Sequence, residues 1–210
     1  MCPSISPPQP AVVLAETRLP VTMPLEWTPV ATPPVRVAWR ADRFTRRDLF
    51  MLKQGDRIPD VTVRQMTADG PTEVPMKDYC AGRKVVIFAL PGAFTPTCSE
   101  QHLPGYVQHV DAIRAKGVAA IACLSTADFF VMDAWGKSQD VGSDVDMLSD
   151  GNHEFTRAAD MAIDLSSHGL GERSKRYAML IDDGVVSHVA VDENPSEASA
   201  SGAEAMLAAL

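Results

Sequence analysis

From residue 84 onward, apolar residues fall into two alternating patterns. Unbroken runs in "KVVIFAL" (84–90) and "VAAIACLS" (118–125) predict strands buried on both faces, and "VDMLSD" (145–150) predicts a third. Gly82 and the "PG" at 91–92 bound the first run. Elsewhere apolar positions recur at spacings of three and four. Leu103, Val107, Val110 and Ile113 place a helix over 96–116, kinked at Pro104, which has no N–H to give the preceding turn. "ADFFVMDAWGKS" (127–138) and "HEFTRAADM" (153–161) predict two more helices. "RYAMLIDDGVVSHVAVD" (176–192) reads as two strands around Asp-Gly, a strong hairpin signal, and "GAEAMLAAL" (202–210) closes as a helix.

Strand–helix alternation ending in a hairpin implies an α/β chain: a mixed central sheet with parallel crossovers, an antiparallel edge and flanking helices. That order suits a thioredoxin-like fold. Residues 1–50 lie outside it. They hold nine of the 16 prolines, six arginines, four acids and no lysine, with no sustained period. Such a segment buries too little apolar surface to offset its ordering entropy, so a disordered extension is expected, with the domain at 51–210. "TRRDLFMLK" (45–53) is similar to a twin-arginine export signal, but the "QGDRIPDVT" after it is no apolar region. Cytoplasmic location is the default reading. The alternative is organelle targeting through residues 1–50, against which their acids stand; a start at Met51 is a third reading.

The formal net charge of −8 argues against nucleic acid or an anionic membrane as partner. No apolar run approaches the roughly 20 residues that span a bilayer. The four cysteines, at 2, 80, 98 and 123, form no CxxC pair, and the five histidines, at 102, 109, 153, 168 and 188, form no ligand cluster. Free thiols are therefore expected, with no metal site and no cofactor. "GLGER" (169–173) has a G-x-G pair but no strand before it, which removes a nucleotide loop.

Cys98 is the candidate for chemistry. Thr95 suits the N-cap and Pro96 the first helical position, so Cys98 falls in the first turn, facing free N–H groups and the positive end of the helix dipole. A Thr97–Glu100 capping box would leave it there too. A thiol so placed is favoured as the thiolate, the reactive form. The plain alternative is a buried cysteine packing as a small hydrophobe, and local geometry leaves both open. A tyrosine-phosphatase loop would need arginine six residues on, where Pro104 stands.

The stretch "PGAFTPTC", with Pro91, Thr95 and Cys98 in register, resembles the Pro-x-x-x-Thr-x-x-Cys signature of peroxiredoxins. "SEQHLPGY" after it is similar to the type II, peroxiredoxin-five-like branch. "ACLSTADFFVMDAWGK", "HGLGERSKRYAMLIDDGVV" and "SASGAEAMLAAL" agree in order and spacing, so the resemblance runs from about Met51 to Leu210. It implies a thioredoxin-like fold and a thiol-dependent peroxidase acting on hydrogen peroxide and small alkyl hydroperoxides. Cys98 would be the peroxidatic cysteine, passing through a sulfenic acid. Thr95 would set its hydroxyl against the sulfur and the attacked oxygen, and Pro91 would shield the sulfur from water. Arg176, directly before a strand in "SKRYAML", would steady the thiolate, with Arg173 as competitor or helper. Backbone N–H groups around Ala93, Phe94 and Cys98 would bind substrate oxygens, and His102 would contribute to the site or to an interface.

The same resemblance bears on recycling. The tail after Val191 has no cysteine, unlike animal members of the branch, which speaks against an internal two-cysteine cycle. Cys123 is a possible resolving cysteine, set against its reading as a packed strand residue. A one-cysteine cycle is expected, recycled by glutaredoxin with glutathione or by thioredoxin. A homodimer is implied as well, and residues 129–135 read as core or dimer face. The rival reading is a peroxide sensor or redox relay with little turnover.

Overall fold

A computed structural model describes residues 51–210. The disorder expected of residues 1–50 falls outside the described residues. The three buried runs form the parallel centre of a seven-stranded sheet: β3 (Lys84–Ala89), β4 (Ala120–Ser125) and β5 (Asp146–Ser149). The nearly unbroken apolarity of β3 and β4 has a geometric cause. Val86 and Phe88 enter one core layer, with Cys98, Tyr106, Trp135 and Met206. Val85, Ile87 and Ala89 enter the other, with Phe155, Met179 and Ile181. A strand covered on both faces has no polar side to alternate with.

The hairpin is β8 (Tyr177–Asp182) and β9 (Val185–Val191), with β8 antiparallel to β3. Asp183 (φ 47°) and Gly184 (φ 75°) are both left-handed, the requirement of the type I′ turn that an Asp-Gly pair predicts. The other edge carries a hairpin without a clear pattern in the sequence, β1 (Thr62–Thr67) and β2 (Gly70–Pro75), giving the order β2-β1-β5-β4-β3-β8-β9. Two further pieces were also unmarked: α1 (Met76–Cys80) and the ribbon of β6 (Ala162–Asp164) with β7 (Glu172–Ser174).

The helix expected over 96–116 is broken twice. A π-helical turn at Cys98–His102 runs into α2 (Leu103–Gln108), and α3 (Val110–Ala115) follows a break at His109 (φ −106°, ψ 10°). Leu103 N–H bonds Cys98 O, five residues back. This wider register stands immediately before Pro104, so the predicted kink takes the form of a π turn that absorbs the missing N–H. The remaining helices are α4 (Phe129–Ser138), α5 (Glu154–Ala158) and α6 (Ala203–Ala209). Asp128 caps α4, accepting from Val131 N at 2.9 Å. Among the described residues no helix is long and apolar enough to cross a membrane.

Candidate active site

The loop leaving β3 delivers Cys98. Ala93 and Phe94 form a tight turn, with Phe94 at φ 61°, a left-handed conformation unusual for a bulky residue. Thr95 O accepts the first helical bond from Ser99 N at 3.0 Å, which makes Thr95 the N-cap residue and Pro96 the first helical one. The Thr95 hydroxyl does not cap the helix, nor does it bond the sulfur. It turns back to donate to Gly92 O at 2.9 Å and closes the turn. The capping box is absent too, because the Thr97 hydroxyl donates to Ser196 O at 3.0 Å. Among the described residues no acceptor takes the N–H of Thr97 or Cys98, the donors a helix start leaves free.

Cys98 is fully buried, in the core layer with Phe88, Leu103 and Tyr106. A buried thiol alone would fit simple packing. What sits on it does not. Arg176, 2% exposed, directs Nη2 at Cys98 Sγ from 3.3 Å. Its other donors go to Pro195 O, from Nε at 3.1 Å and Nη2 at 2.9 Å, and to His102 Nδ1, from Nη1 at 3.0 Å. Among the described residues no carboxylate oxygen lies within 4.0 Å of this guanidinium. A buried, always-charged group with only neutral carbonyl and imidazole partners is expensive. Of the groups it bonds, Cys98 Sγ is the one that can carry a negative charge.

His102 is buried beside it, its imidazole pulled down to about 4 by burial first and by the Arg176 charge second, so it is neutral. Its Nε2 meets Ser201 O and Ser201 Oγ, each at 3.1 Å. Phe88 lies against Tyr106, ring centroids 3.9 Å apart, and Tyr106 OH donates to Ser201 O at 2.8 Å. From the other side Trp135 of α4 donates through Nε1 to Ser99 Oγ at 3.0 Å, tying α4 to the turn that carries Cys98.

The expected residues divide clearly. Cys98, Arg176 and His102 come together. Pro91 is buried and Ala93 half-buried against the same core, while Phe94 is 57% exposed. Arg173, in β7, donates to Leu170 O at 2.7 Å and makes no hydrogen bond to the sulfur. Cys123 lies fully buried in β4 in the same layer as Cys98, its thiol raised well above the ordinary value by burial and then by the Cys98 charge. Cys80 sits in the opposite layer, its thiol pushed up to about 12 by burial. Sequence reasoning missed Pro195 and Ser201, and with them Asp192, whose carboxylate accepts from Ser201. Pro195 and Ser201 lie 19 or more residues from the Arg176 and His102 side chains they support, and no local period marks such contacts. The one available signal was the pair of serines spaced around Ala200 after an aspartate.

A thioredoxin-like sheet carrying a helix-start thiol under a buried guanidinium is an arrangement suited to thiol-based redox chemistry, and the Redoxin family profile matches residues 53–207. The chain belongs to the peroxiredoxin family, in its type II branch, and is a thiol-dependent peroxidase. It is 51% identical over 161 residues to "Peroxiredoxin-2E-2, chloroplastic" of Oryza sativa subsp. japonica, covering 74% of this chain and 71% of that one. Reduced Prx3 in complex with H2O2 from Vibrio vulnificus superposes with a TM-score of 0.72 at 47% identity, covering 76% of this chain and 99% of that one. Peroxiredoxin 5 from Alvinella pompejana gives 0.66 at 37% identity, covering 75% and 96%.

Proposed function

We propose that Cys98 is the peroxidatic cysteine and that it reduces hydrogen peroxide and small alkyl hydroperoxides in a one-cysteine cycle. The observation that carries this reading is the buried Arg176 guanidinium, 3.3 Å from Sγ and without a carboxylate partner among the described residues. The thiolate attacks the protonated peroxide oxygen, and the S–O bond forms as the O–O bond breaks. The leaving oxygen takes the proton of the attacked one and departs as water or alcohol, leaving a sulfenate that solvent protonates. Cys98 becomes the sulfenic acid. Arg176 Nη2 steadies the sulfur before attack and the charge that moves onto oxygen. With its proton held by Gly92 O, the Thr95 oxygen is left to accept a peroxide O–H. The N–H groups of Thr97 and Cys98, free among the described residues, supply backbone donors, and buried Pro91 limits water.

Reduction of the sulfenic acid falls to an external thiol, glutaredoxin with glutathione or thioredoxin. Supporting this, Cys123 is held in a strand between Phe88 and Met147 with its thiol kept protonated, a poor resolving nucleophile. Exposed Phe94 and Phe130 offer apolar surface for a homodimer. For compartment, the chloroplastic relative supports the organelle alternative over the cytoplasmic default.

Steady-state peroxide consumption with each reductant supplied tests the cycle. Cys98→Ser is expected to abolish it, and Cys123→Ala to leave it within about twofold, since it removes only a buried sulfur. Arrest of Cys123→Ala after a single turnover would make Cys123 the resolving cysteine. A wild-type protein that oxidises once and is recycled by neither reductant would instead be a sensor.

A further inference from the structure

One side chain outside the peroxide site gathers the groups around Arg176. Asp192 follows β9 directly, and its N–H bonds Arg176 O at 2.9 Å, so the hairpin sets the two residues opposite each other. Its buried carboxylate holds the loop that returns to α6. Oδ1 accepts from Ser199 N and Ser199 Oγ at 3.1 Å each and from Ala200 N at 2.7 Å. Oδ2 accepts from Ser201 N at 3.3 Å and, in a very short bond, from Ser201 Oγ.

The bonds from Asp192 to Cys98 form one chain whose directions are set from both ends. A carboxylate only accepts, so the Ser201 hydroxyl proton points at Asp192, and Ser201 Oγ is left to accept from His102 Nε2. A guanidinium only donates, so His102 Nδ1 must be bare toward Arg176 Nη1. Both constraints demand the same imidazole tautomer, with the proton on Nε2. We infer that Asp192 is a positioning residue, which through Ser201 holds His102 in the tautomer that aims Arg176 at Cys98. This rests on the peroxidatic reading of Cys98. Burial would raise the Asp192 carboxyl, but the hydrogen bonds from Ser201, Ala200 and Ser199 outweigh it and keep the group ionised, as the chain requires.

Asp192→Asn makes the chain disagree with itself. The amide oxygen is claimed by the three donors of Ser199 and Ala200, so its NH2 faces Ser201. That NH2 also opposes Ser201 N–H, which donates to Oδ2 in the wild type. The Ser201 hydroxyl then accepts from the amide and its own proton turns to His102 Nε2, in competition with Ser201 O, which accepts from Nε2 in the wild type. In that arrangement the imidazole proton moves to Nδ1, where it opposes Arg176 Nη1, donor against donor. Ser201→Ala is milder, because Ser201 O still accepts from Nε2.

The test is long-range proton–nitrogen NMR of the imidazoles in reduced, nitrogen-15-labelled full-length protein at neutral pH, with His102→Gln assigning the His102 signals. The same samples are mixed with hydrogen peroxide to obtain the second-order rate constant. Wild type is expected to show the Nε2-protonated tautomer. Asp192→Asn is expected to shift it to Nδ1-protonated and slow the peroxide reaction about ten- to hundredfold, the scale of one charged hydrogen bond. Ser201→Ala should keep the wild-type tautomer and lose less. A wild-type His102 protonated on Nδ1 overturns the inference without any variant, which covers the case in which Asp192→Asn fails to fold. So does an Asp192→Asn protein with the wild-type rate. A slowed Asp192→Asn protein with the wild-type tautomer also overturns it, since Asp192 would then act only by holding the loop. Peroxide consumption surviving in Cys98→Ser would sink the peroxidatic reading instead, while the tautomer still judges the chain.

Discussion

Among single residues Arg176 bears most on the proposed function, because a buried guanidinium must be answered by an anion or by many dipoles. Here it has two carbonyl bonds, one imidazole and one sulfur. Arg176→Met keeps comparable bulk and removes every donor. It should lower the second-order rate with hydrogen peroxide about a hundredfold or more, by stopped-flow, the usual scale for losing one pre-aimed donor. His102 adds a pH dependence of stability. Its folded value of about 4 lies below the ordinary 6.5, so the unfolded chain binds the proton more tightly. The stabilisation is full above about 6.5 and is lost as pH falls toward 4, by about 3 kcal/mol in all. Urea unfolding at about pH 7 and about pH 4.5 should show a smaller drop in His102→Gln than in wild type, since only wild type carries this linkage. Equal drops would contradict the neutral, buried imidazole. Of the proposed site, Cys98, Thr95 and Pro91 were named through the peroxiredoxin-like motif, and Arg176 through the same resemblance, which expects an arginine directly before a strand. Asp192 and Ser201 were not, because the contact from Ser201 to His102 spans 99 residues of chain.

Among the elements, legibility followed the strength of the local pattern. β3, β4 and β5 were readable because both faces are covered, and β8–β9 because Asp183-Gly184 admits one tight turn. The β1–β2 hairpin escaped notice for the converse reason. It lies at the sheet edge, its outer strand carries Pro71 and Pro75, and most of its positions face solvent, so no alternation survives. The π turn escaped because one widened turn shifts the helical face by only about one residue, which a pattern of threes and fours absorbs. The hairpin turn can be checked directly. Gly184 sits at φ +75°, and a methyl group added there would meet no atom within 4 Å, so Gly184→Ala strains only the backbone. It should lose about 1 kcal/mol in urea unfolding and leave the peroxide rate unchanged. An unaffected midpoint would contradict the turn assignment.

Across the described domain, the mixed sheet brings three separate stretches of chain to one point. The π turn that follows the β3 loop supplies both Cys98 and His102, the residue before β8 is Arg176, and the loop between β9 and α6 supplies Pro195 and Ser201. None of these stretches makes the site alone, which is why periodicity pointed to the fold but only the motif pointed to the chemistry. All of the proposed chemistry depends on the thiol under Arg176 being the one that meets peroxide. Mass spectrometry of the reduced protein, quenched with a sulfenic-acid trap after one equivalent of hydrogen peroxide, decides this. The trapped adduct is expected on the Cys98 peptide, with Cys80 and Cys123 still thiols. Peroxide consumed with Cys98 unmodified, or the adduct found on Cys123 instead, would show that another group does the work.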